Sequence, residues 1–464
     1  MKKLILFFLF VSFLATSCKE KMPEINIANQ EKSVLTAAPE WSKNANIYEV
    51  NIRQYTEEGS FNAFAAHLPR LKELGVDILW LMPIHPISKK NRKGSLGSYY
   101  AVQNYKGVNP DFGTDTDFKS LVSKVHQLDM KIILDWVPNH TGFDNNWISE
   151  HPDWYTKDKN GEVTHPIGTD WTDVADLNYD NEEMRAAMTD AMSYWITDFD
   201  IDGFRCDVAG EVPNDFWEAN NANLFGLKKD IFMLAEWDEP SLHDAGFHMS
   251  YGWGFHHVLN QLAKNEVTLT YLDSFVLANK VRFGPEAYKM NFITNHDENS
   301  WNGTIQERMG SAADALAVLA FTIDGMPLIY SGQEAGLNWR LKFFEKDQVN
   351  WENLEKSDFY AKLLDLKHRN PAIWNGTYGG DYQRIQTSND ENIFCFARTK
   401  GENEIIVALN LSGDDQIFTV RSTIRDDNYQ NVFEETDMVN PVQWKEKNVE
   451  MAAWSYLLFE RKSQ

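Results

Sequence analysis

Short apolar runs and longer amphipathic stretches alternate along most of the chain. Runs at residues 47–52, 77–84, 131–137, 201–208, 231–237, 290–295 and 327–331 have the length of buried strands, and a weaker one lies at 247–250. Between most of them the apolar positions recur at helical spacing, as at 61–74, 115–128 and 181–198. Strand then helix, repeated, builds a parallel sheet, because a crossover is needed to bring the next strand back in the same direction. Eight such strands fit an α/β fold closed into a (β/α)8 TIM barrel better than an open sheet, and barrels of this kind carry their chemistry at the C-terminal strand ends.

Two segments break the rhythm. Residues 140–179 are polar and aromatic-rich with no clear helix, which predicts a short domain inserted after the third strand. Beyond residue 370 the pattern becomes short alternating strands, such as 393–398 and 404–411, with turn residues between them. The expected layout is a barrel over residues 41–370, interrupted by the insert, and an antiparallel β-sandwich over 371–464.

The N-terminal segment reads as an address. Lys2 and Lys3 precede an apolar run over residues 4–15 that is too short to cross roughly 30 Å of hydrocarbon at about 1.5 Å per residue. It ends Leu14-Ala15-Thr16-Ser17-Cys18, which resembles the lipobox of bacterial lipoproteins. Residues 1–17 are then a signal peptide, Cys18 carries a lipid, and 18–40 form a tether holding the exported protein on the cell envelope, at the outer membrane. An ordinary cleaved signal with an incidental Cys18 is the alternative. Cys206 and Cys395 are the other cysteines, and a core of this size does not need their disulfide, so both are expected free and buried.

Composition narrows the partner. With 43% hydrophobic and 24% charged residues the chain lies in the globular range, which argues against disorder. Its 68 acidic and 44 basic side chains leave a net charge of −24, which repels phosphate backbones and speaks against nucleic acid. Aromatics at 13% exceed what a core needs and suggest ring faces offered to a flat neutral ligand such as a sugar.

The candidate chemistry converges on one barrel mouth. Asp135-Trp136-Val137-Pro138-Asn139-His140 ends the third strand, Gly203-Phe204-Arg205-Cys206-Asp207 the fourth, Leu234-Ala235-Glu236-Trp237 the fifth and Asn295-His296-Asp297 the seventh. Asp207, Glu236 and Asp297 thereby crowd three carboxylates together, which drives their pKa values apart. One keeps its proton while another stays charged, the division of labour that glycosidic cleavage requires. Arg205, two residues before Asp207 on a strand, points to the same face and can hold Asp207 ionised. Asp135 is expected to be structural, with Arg205 as its partner.

These motifs, in this order, closely resemble those of the α-amylase family, glycoside hydrolase family 13, over roughly residues 46–459. The resemblance implies that Asp207 is the nucleophile, Glu236 the general acid/base and Asp297 the stabiliser that grips hydroxyls of the distorted ring. It implies that His140 and His296 bind hydroxyls of the same sugar, that Arg205 belongs to the substrate site, and that Tyr100 is an aromatic platform, with Tyr99 as the alternative register. Asn139 and Asp176 match oxygen ligands of the family's structural calcium, with no organic cofactor. The chain departs from many members at Ala209 and Gly210, where a sugar-contacting Lys and a calcium-binding His usually follow the nucleophile, so endo-amylase specificity does not carry over.

The implied activity is retaining hydrolysis of α-glucosidic bonds in starch-like glucans or maltooligosaccharides. A transglycosylase uses the same carboxylates and differs in what enters second. A sugar-binding protein with a dead barrel would lack a carboxylate, and none is missing. His85 could either line the cleft or finish the second strand. Trp147, Trp154, Tyr155 and Trp171 are expected mostly to be the core of the insert, and residues 89–94, Lys-Lys-Asn-Arg-Lys-Gly, a solvated face able to act as a mobile rim.

Overall fold

The computed structural model describes residues 37–434 and 438–461. The expected signal peptide, Cys18 and the tether up to residue 36 lie outside them.

The first strands are β1 (Ile47–Val50), β2 (Ile78–Leu81) and β3 (Lys131–Trp136). A small hairpin of β4 (His140–Gly142) and β5 (Val174–Asp176) follows, and then β6 (Gly203–Cys206), β7 (Phe232–Ala235), β8 (Met249–Tyr251), β9 (Tyr288–Asn291) and β10 (Met326–Tyr330). All but the hairpin join in a closed parallel barrel, in the order β1-β10-β9-β8-β7-β6-β3-β2. Both faces of these strands are covered, so apolar residues occupy both sides and the strands read as continuous apolar runs. Ile47, Ile78, Ile133, Phe232 and Leu234 fill the barrel, while Tyr48, Leu79, Ile132, Phe204 and Met233 pack in the larger core that includes the helices. Towards the C-terminal ends the interior turns polar, with Glu49, Asp135 and Arg205 fully buried there.

Register brings those charges together. Asp135 on β3 lies directly beside Arg205 on β6, and Glu49 beside Trp80 on β2. Gly203 opens β6 at φ +148, and a Cβ there would stand 1.9 Å from the Phe232 carbonyl oxygen, so only glycine lets β6 and β7 approach at this point.

The helices follow their caps. Asp115–Gln127 starts in a capping box between Thr114 and Asp117, and Glu182–Phe199 starts on Asn181 and stops at Asp200 in the left-handed region. The stretch expected as one helix over 61–74 is two, Phe61–Ala65 and Leu68–Leu74, because Pro69 lacks an N–H and is tolerated only in a first turn. The seventh barrel strand is also shorter and earlier than its apolar run: β9 ends at Asn291, Asn295 lies in the loop beyond it, and His296 and Asp297 open the helical turn that follows.

The C-terminal part is antiparallel: β11 (Asp381–Ile385), β12 (Ile393–Lys400), β13 (Asn403–Asn410), β14 (Gln416–Phe418), β15 (Tyr429–Asn431), β16 (Met438–Val439), β17 (Val449–Met451) and β18 (Tyr456–Arg461). Six of them form one sheet, β11-β12-β13-β18-β15-β16, and β14 with β17 forms a ribbon. Alternation along β13 explains the layering: Ile405, Val407 and Leu409 join the barrel-side core, while Ile406 and Ala408 pack with Phe418 and Met451 of the ribbon. The expected sandwich thus has one full sheet and a two-stranded second layer. Cys206 and Cys395 are free and buried.

Candidate active site

Asp207 and Glu236 are each the first residue past a barrel strand, β6 and β7. Arg205 lies fully buried beneath them. Its Nη1 donates to Asp135 Oδ1 at 2.8 Å and to Asp207 Oδ1 at 3.0 Å, and its Nη2 stands 3.0 Å from Glu236 Oε2. Its Nε donates to the Tyr251 hydroxyl at 3.1 Å, and the rings of Trp80, Tyr100 and Tyr251 surround the guanidinium. Asp135 is completed by the Trp80 indole and the Tyr100 hydroxyl, which both donate to its Oδ2. The structural role expected for Asp135 is what its contacts show. Arg205 itself, expected among the substrate-binding residues, does not reach the cleft surface: its side chain is 0% exposed because three carboxylates hold it inside the barrel.

His296 binds from the other side. Its Nδ1 pairs with Glu49, its Nε2 is 2.8 Å from the Tyr100 hydroxyl, and the same nitrogen is 3.3 Å from Asp297 Oδ2. Burial opposes charge on this imidazole, but Asp297 and Glu49 outweigh it and raise its pKa to about 9. The proton chain then runs one way, from imidazolium to the Tyr100 oxygen and from the Tyr100 hydroxyl to Asp135. Asp297 keeps 35% of its side chain open, against 11% for Asp207 and 10% for Glu236, so it is the carboxylate most free to meet sugar hydroxyls.

The two buried carboxyls divide as glycosidic chemistry needs. Burial raises both; Arg205 pulls Asp207 back to about 6, while Glu236 stays up at about 8 because Asp207 and Asp297 add to its burial against the pull of Arg205. One guanidinium cannot neutralise all its carboxylate neighbours, so one proton remains on the pair of Asp207 and Glu236 that Arg205 holds through Nη1 and Nη2. The backbone fixes that acid. Val208 sits at φ +38, an unusual setting for a β-branched residue, and its N–H donates to Glu236 Oε2 at 2.9 Å.

A cleft of about 620 Å³ opens over these groups, and Tyr100, His140, Asp207, Glu236, His296 and Asp297 all line it. His140 is neutral, its pKa pushed down to about 3 by burial. Tyr100 lies near-parallel to His296 and to Phe343, whereas Tyr99 is buried under Arg53, so Tyr100 is the cleft aromatic. His85 neither lines the cleft nor ends the second strand: it lies four residues beyond β2, buried against Trp136 and Trp195, with Nδ1 at the Gly107 carbonyl. Trp154 and Tyr155 are core of the insert, and Trp171 faces the cleft beside His140. Lys93 departs from the solvated-face expectation and lines the cleft, as do Trp301, Phe343 and Phe344. Sequence reasoning missed these and also Glu49, although a lone Glu in Ile47-Tyr48-Glu49-Val50 was a signal of a buried charge with a partner.

Asn139 and Asp176 meet at the root of the insert, where β4 pairs His140 with Asp176 and the Leu177 N–H donates to the Asn139 carbonyl. The Asn139 amide nitrogen faces His140 at 3.3 Å. Among the described residues no group of three or more His, Cys, Asp or Glu side chains is gathered for a metal.

A parallel barrel with a proton-bearing carboxyl against a charged one, and a third beside them, carries the machinery of a glycoside hydrolase. Sequence comparison agrees: the family model "Alpha amylase, catalytic domain" matches residues 36–393, and the chain belongs to the alpha-amylase family. Among solved structures it is similar to the noncanonic maltogenic alpha-amylase AmyB from Thermotoga neapolitana (28% identity, TM-score 0.81, 91% of this chain and 100% of that one). An alpha-amylase from Lactobacillus plantarum is similar to the same extent (30% identity, TM-score 0.80, 91% and 100%). Alpha-amylase MalA of Haloarcula japonica is 26% identical over 81% of this chain, which spans 57% of that protein's length.

The pKa order has a kinetic consequence. Asp207 must have lost its proton and Glu236 kept its own, so kcat/KM is expected to fall as pH drops through about 6 and again as it rises through about 8. A profile without the alkaline fall would place the acid's proton on another group.

Proposed function

We propose that the protein is a retaining glycosidase that cleaves α-glucosidic bonds of starch-like glucans or maltooligosaccharides by double displacement. The common hold of Arg205 on both carboxyls, Nη1 3.0 Å from Asp207 Oδ1 and Nη2 3.0 Å from Glu236 Oε2, carries this reading. Inverting enzymes keep their carboxyls about 6.5–9.5 Å apart to hold a water between them, and here both groups are drawn onto the two terminal nitrogens of one guanidinium, the closer spacing of a retaining pair. Substrate entry brings the glycosidic oxygen against Glu236 as acceptor of its proton. Asp207 attacks the anomeric carbon and forms a β-glycosyl ester as the leaving oxygen is protonated. Glu236, now anionic, takes a proton from water, the water oxygen displaces Asp207, and the released sugar has the α configuration. Asp297 and His296 hold hydroxyls of the reacting ring, and the neutral His140 adds another polar contact. Throughout, Arg205 stays beside the Asp207 carboxyl group, ionised before attack and esterified after it.

Azide distinguishes the two roles. With Glu236→Ala and α-glucosyl fluoride, whose leaving group needs little protonation, the ester still forms and azide should give the α-glucosyl azide. With Asp207→Ala, azide attacks the fluoride directly and should give the β-azide. The opposite pairing would exchange the roles, and β-sugar released by the unaltered enzyme from an α-linked substrate would refute retention.

Calcium at Asn139 and Asp176 is proposed as a structural ion only. Two side-chain oxygens fall short of the six to eight ligands calcium takes, so backbone carbonyls and water would supply the rest. Burial already raises the Asp176 pKa, and nearby Glu211 adds to that, which a bound cation would reverse. Exhaustive chelation is expected to lower Tm before it lowers activity; if neither moves, there is no such site.

Export and a lipid on Cys18, anchoring the enzyme to the outer membrane, are proposed from Leu14-Ala15-Thr16-Ser17-Cys18. Cys18→Ser should move activity from the membrane fraction to the soluble one, and unchanged membrane association would remove the anchor.

A further inference from the structure

The cleft continues past Glu236 into a second groove lined by Trp237, Asp238, Glu239 and Trp253, and the two share only Val208 and Glu236. A general acid delivers its proton to the departing oxygen, so the leaving chain lies on the acid's side, away from the ring that Asp207 attacks. The leaving chain therefore exits along Trp237 and Trp253. The ring being cleaved, and whatever precedes it, occupies the arm with Tyr100 and His296.

That arm meets a wall made of three distant segments. Lys93, from the loop after β2, places Nζ 3.0 Å from Asp173 Oδ1 and donates to the Asp170 carbonyl at 3.1 Å, both on the insert. The same loop is tied on its other side to the segment after β10: the Ser95 N–H donates to Glu345 Oε1 at 2.9 Å and the Leu96 N–H to the Phe344 carbonyl at 3.1 Å. Gly94 is pressed so close that a Cβ would stand 2.4 Å from the Cβ of Phe344, which excludes a side chain at this crossing. Trp301 packs on Phe343 and Phe344, with centroids 5.1 and 5.8 Å away. The Asp173 side chain is 7% exposed, and parting it from Lys93 would leave a buried charge without its cation, so the bridge resists opening.

We infer that the Lys93–Asp173 bridge closes the glycone end of the cleft and makes Lys93 a specificity-determining residue: the enzyme removes short pieces from free non-reducing ends and does not bind mid-chain. A chain threading the site would have to run through the bridge, whereas a chain end stops against it. The inference rests on the glycosidase reading above.

The test compares kcat/KM on maltoheptaose with that on maltoheptaose whose non-reducing end carries a 4,6-O-ethylidene block, products being followed by chromatography. The unaltered enzyme is expected to prefer the free end by about tenfold or more. Lys93→Ala should narrow that ratio toward one and lengthen the released products, and Lys93→Arg, which retains charge and reach, should preserve it. Asp173→Asn removes the charge of the same bridge with little change of shape and should act as Lys93→Ala does. Equal cleavage of blocked and free substrate by the unaltered enzyme would overturn the closure. A strong free-end preference that both Lys93→Ala and Asp173→Asn leave intact would overturn the role of the bridge. Absence of turnover on either substrate, or on starch, would refute the glycosidase reading and this inference with it.

Discussion

One buried guanidinium holds the active site in place. Taking a charge out of water costs several kcal/mol even after relaxation, so Arg205 persists inside the barrel only because Asp135, Asp207, Glu236 and the Tyr251 hydroxyl meet it. The arrangement is mutual. Removing one partner would strand the others in a low-dielectric interior at a cost of about 3–5 kcal/mol, and removing the cation would let Asp207 take up a proton. Barrel closure is what satisfies this cluster, since it sets Asp135 beside Arg205 in register and brings Asp207 and Glu236 to adjacent strand ends.

A second charged pair orients the rest of the site. Asp297, together with Glu49 on the first barrel strand, keeps His296 protonated, although Glu49 and His296 are far apart in the chain, and His296 also touches Tyr100. The site is therefore organised by two buried cations, Arg205 on the side of Asp207 and Glu236 and His296 beside Asp297. The Tyr100 hydroxyl connects them through Asp135. Glu49, Asp135 and Arg205 sit on barrel strands and Asp207 and Glu236 directly follow them, so their positions follow the barrel's own rigidity, whereas Tyr100, His296 and Asp297 are carried by the segments beyond strand ends. The surrounding loops are left free to differ among relatives that share the chemistry.

Those loops build much of the cleft wall. The segment carrying Lys93, the insert with Asp170 and Asp173, and the segment with Phe343 and Phe344 bond to one another through side-chain and backbone groups outside the barrel ladder. The C-terminal sheet, whose Ile405, Val407 and Leu409 pack into the barrel-side core, contributes no residue to the cleft lining among the described residues. Its presence buries apolar surface of the barrel and leaves the mouth untouched.

The barrel was legible because apolar runs and helical spacing are local properties, and the chemistry was legible because carboxylates at strand ends are few and stand in ordered motifs. Asp135, Asp207, Glu236, Asp297 and the pairing of Arg205 with Asp207 could all be read this way. Local pattern misled where a proline restarted a helix at Leu68, and where apolar residues of the 290–295 run continued past the end of β9. What the chain alone could not reveal depends on which distant segments meet. The burial of Arg205 below the cleft, the Glu49–His296 pair, the entry of Lys93 and Trp171 into the cleft wall and the packing of His85 into the core each involve residues with no mark of their partner in the sequence. Residue type and spacing determined which groups could do the chemistry. Tertiary closure decided which of them share a proton, because a pKa depends on burial and neighbouring charge, and both exist only once the strands have been brought together.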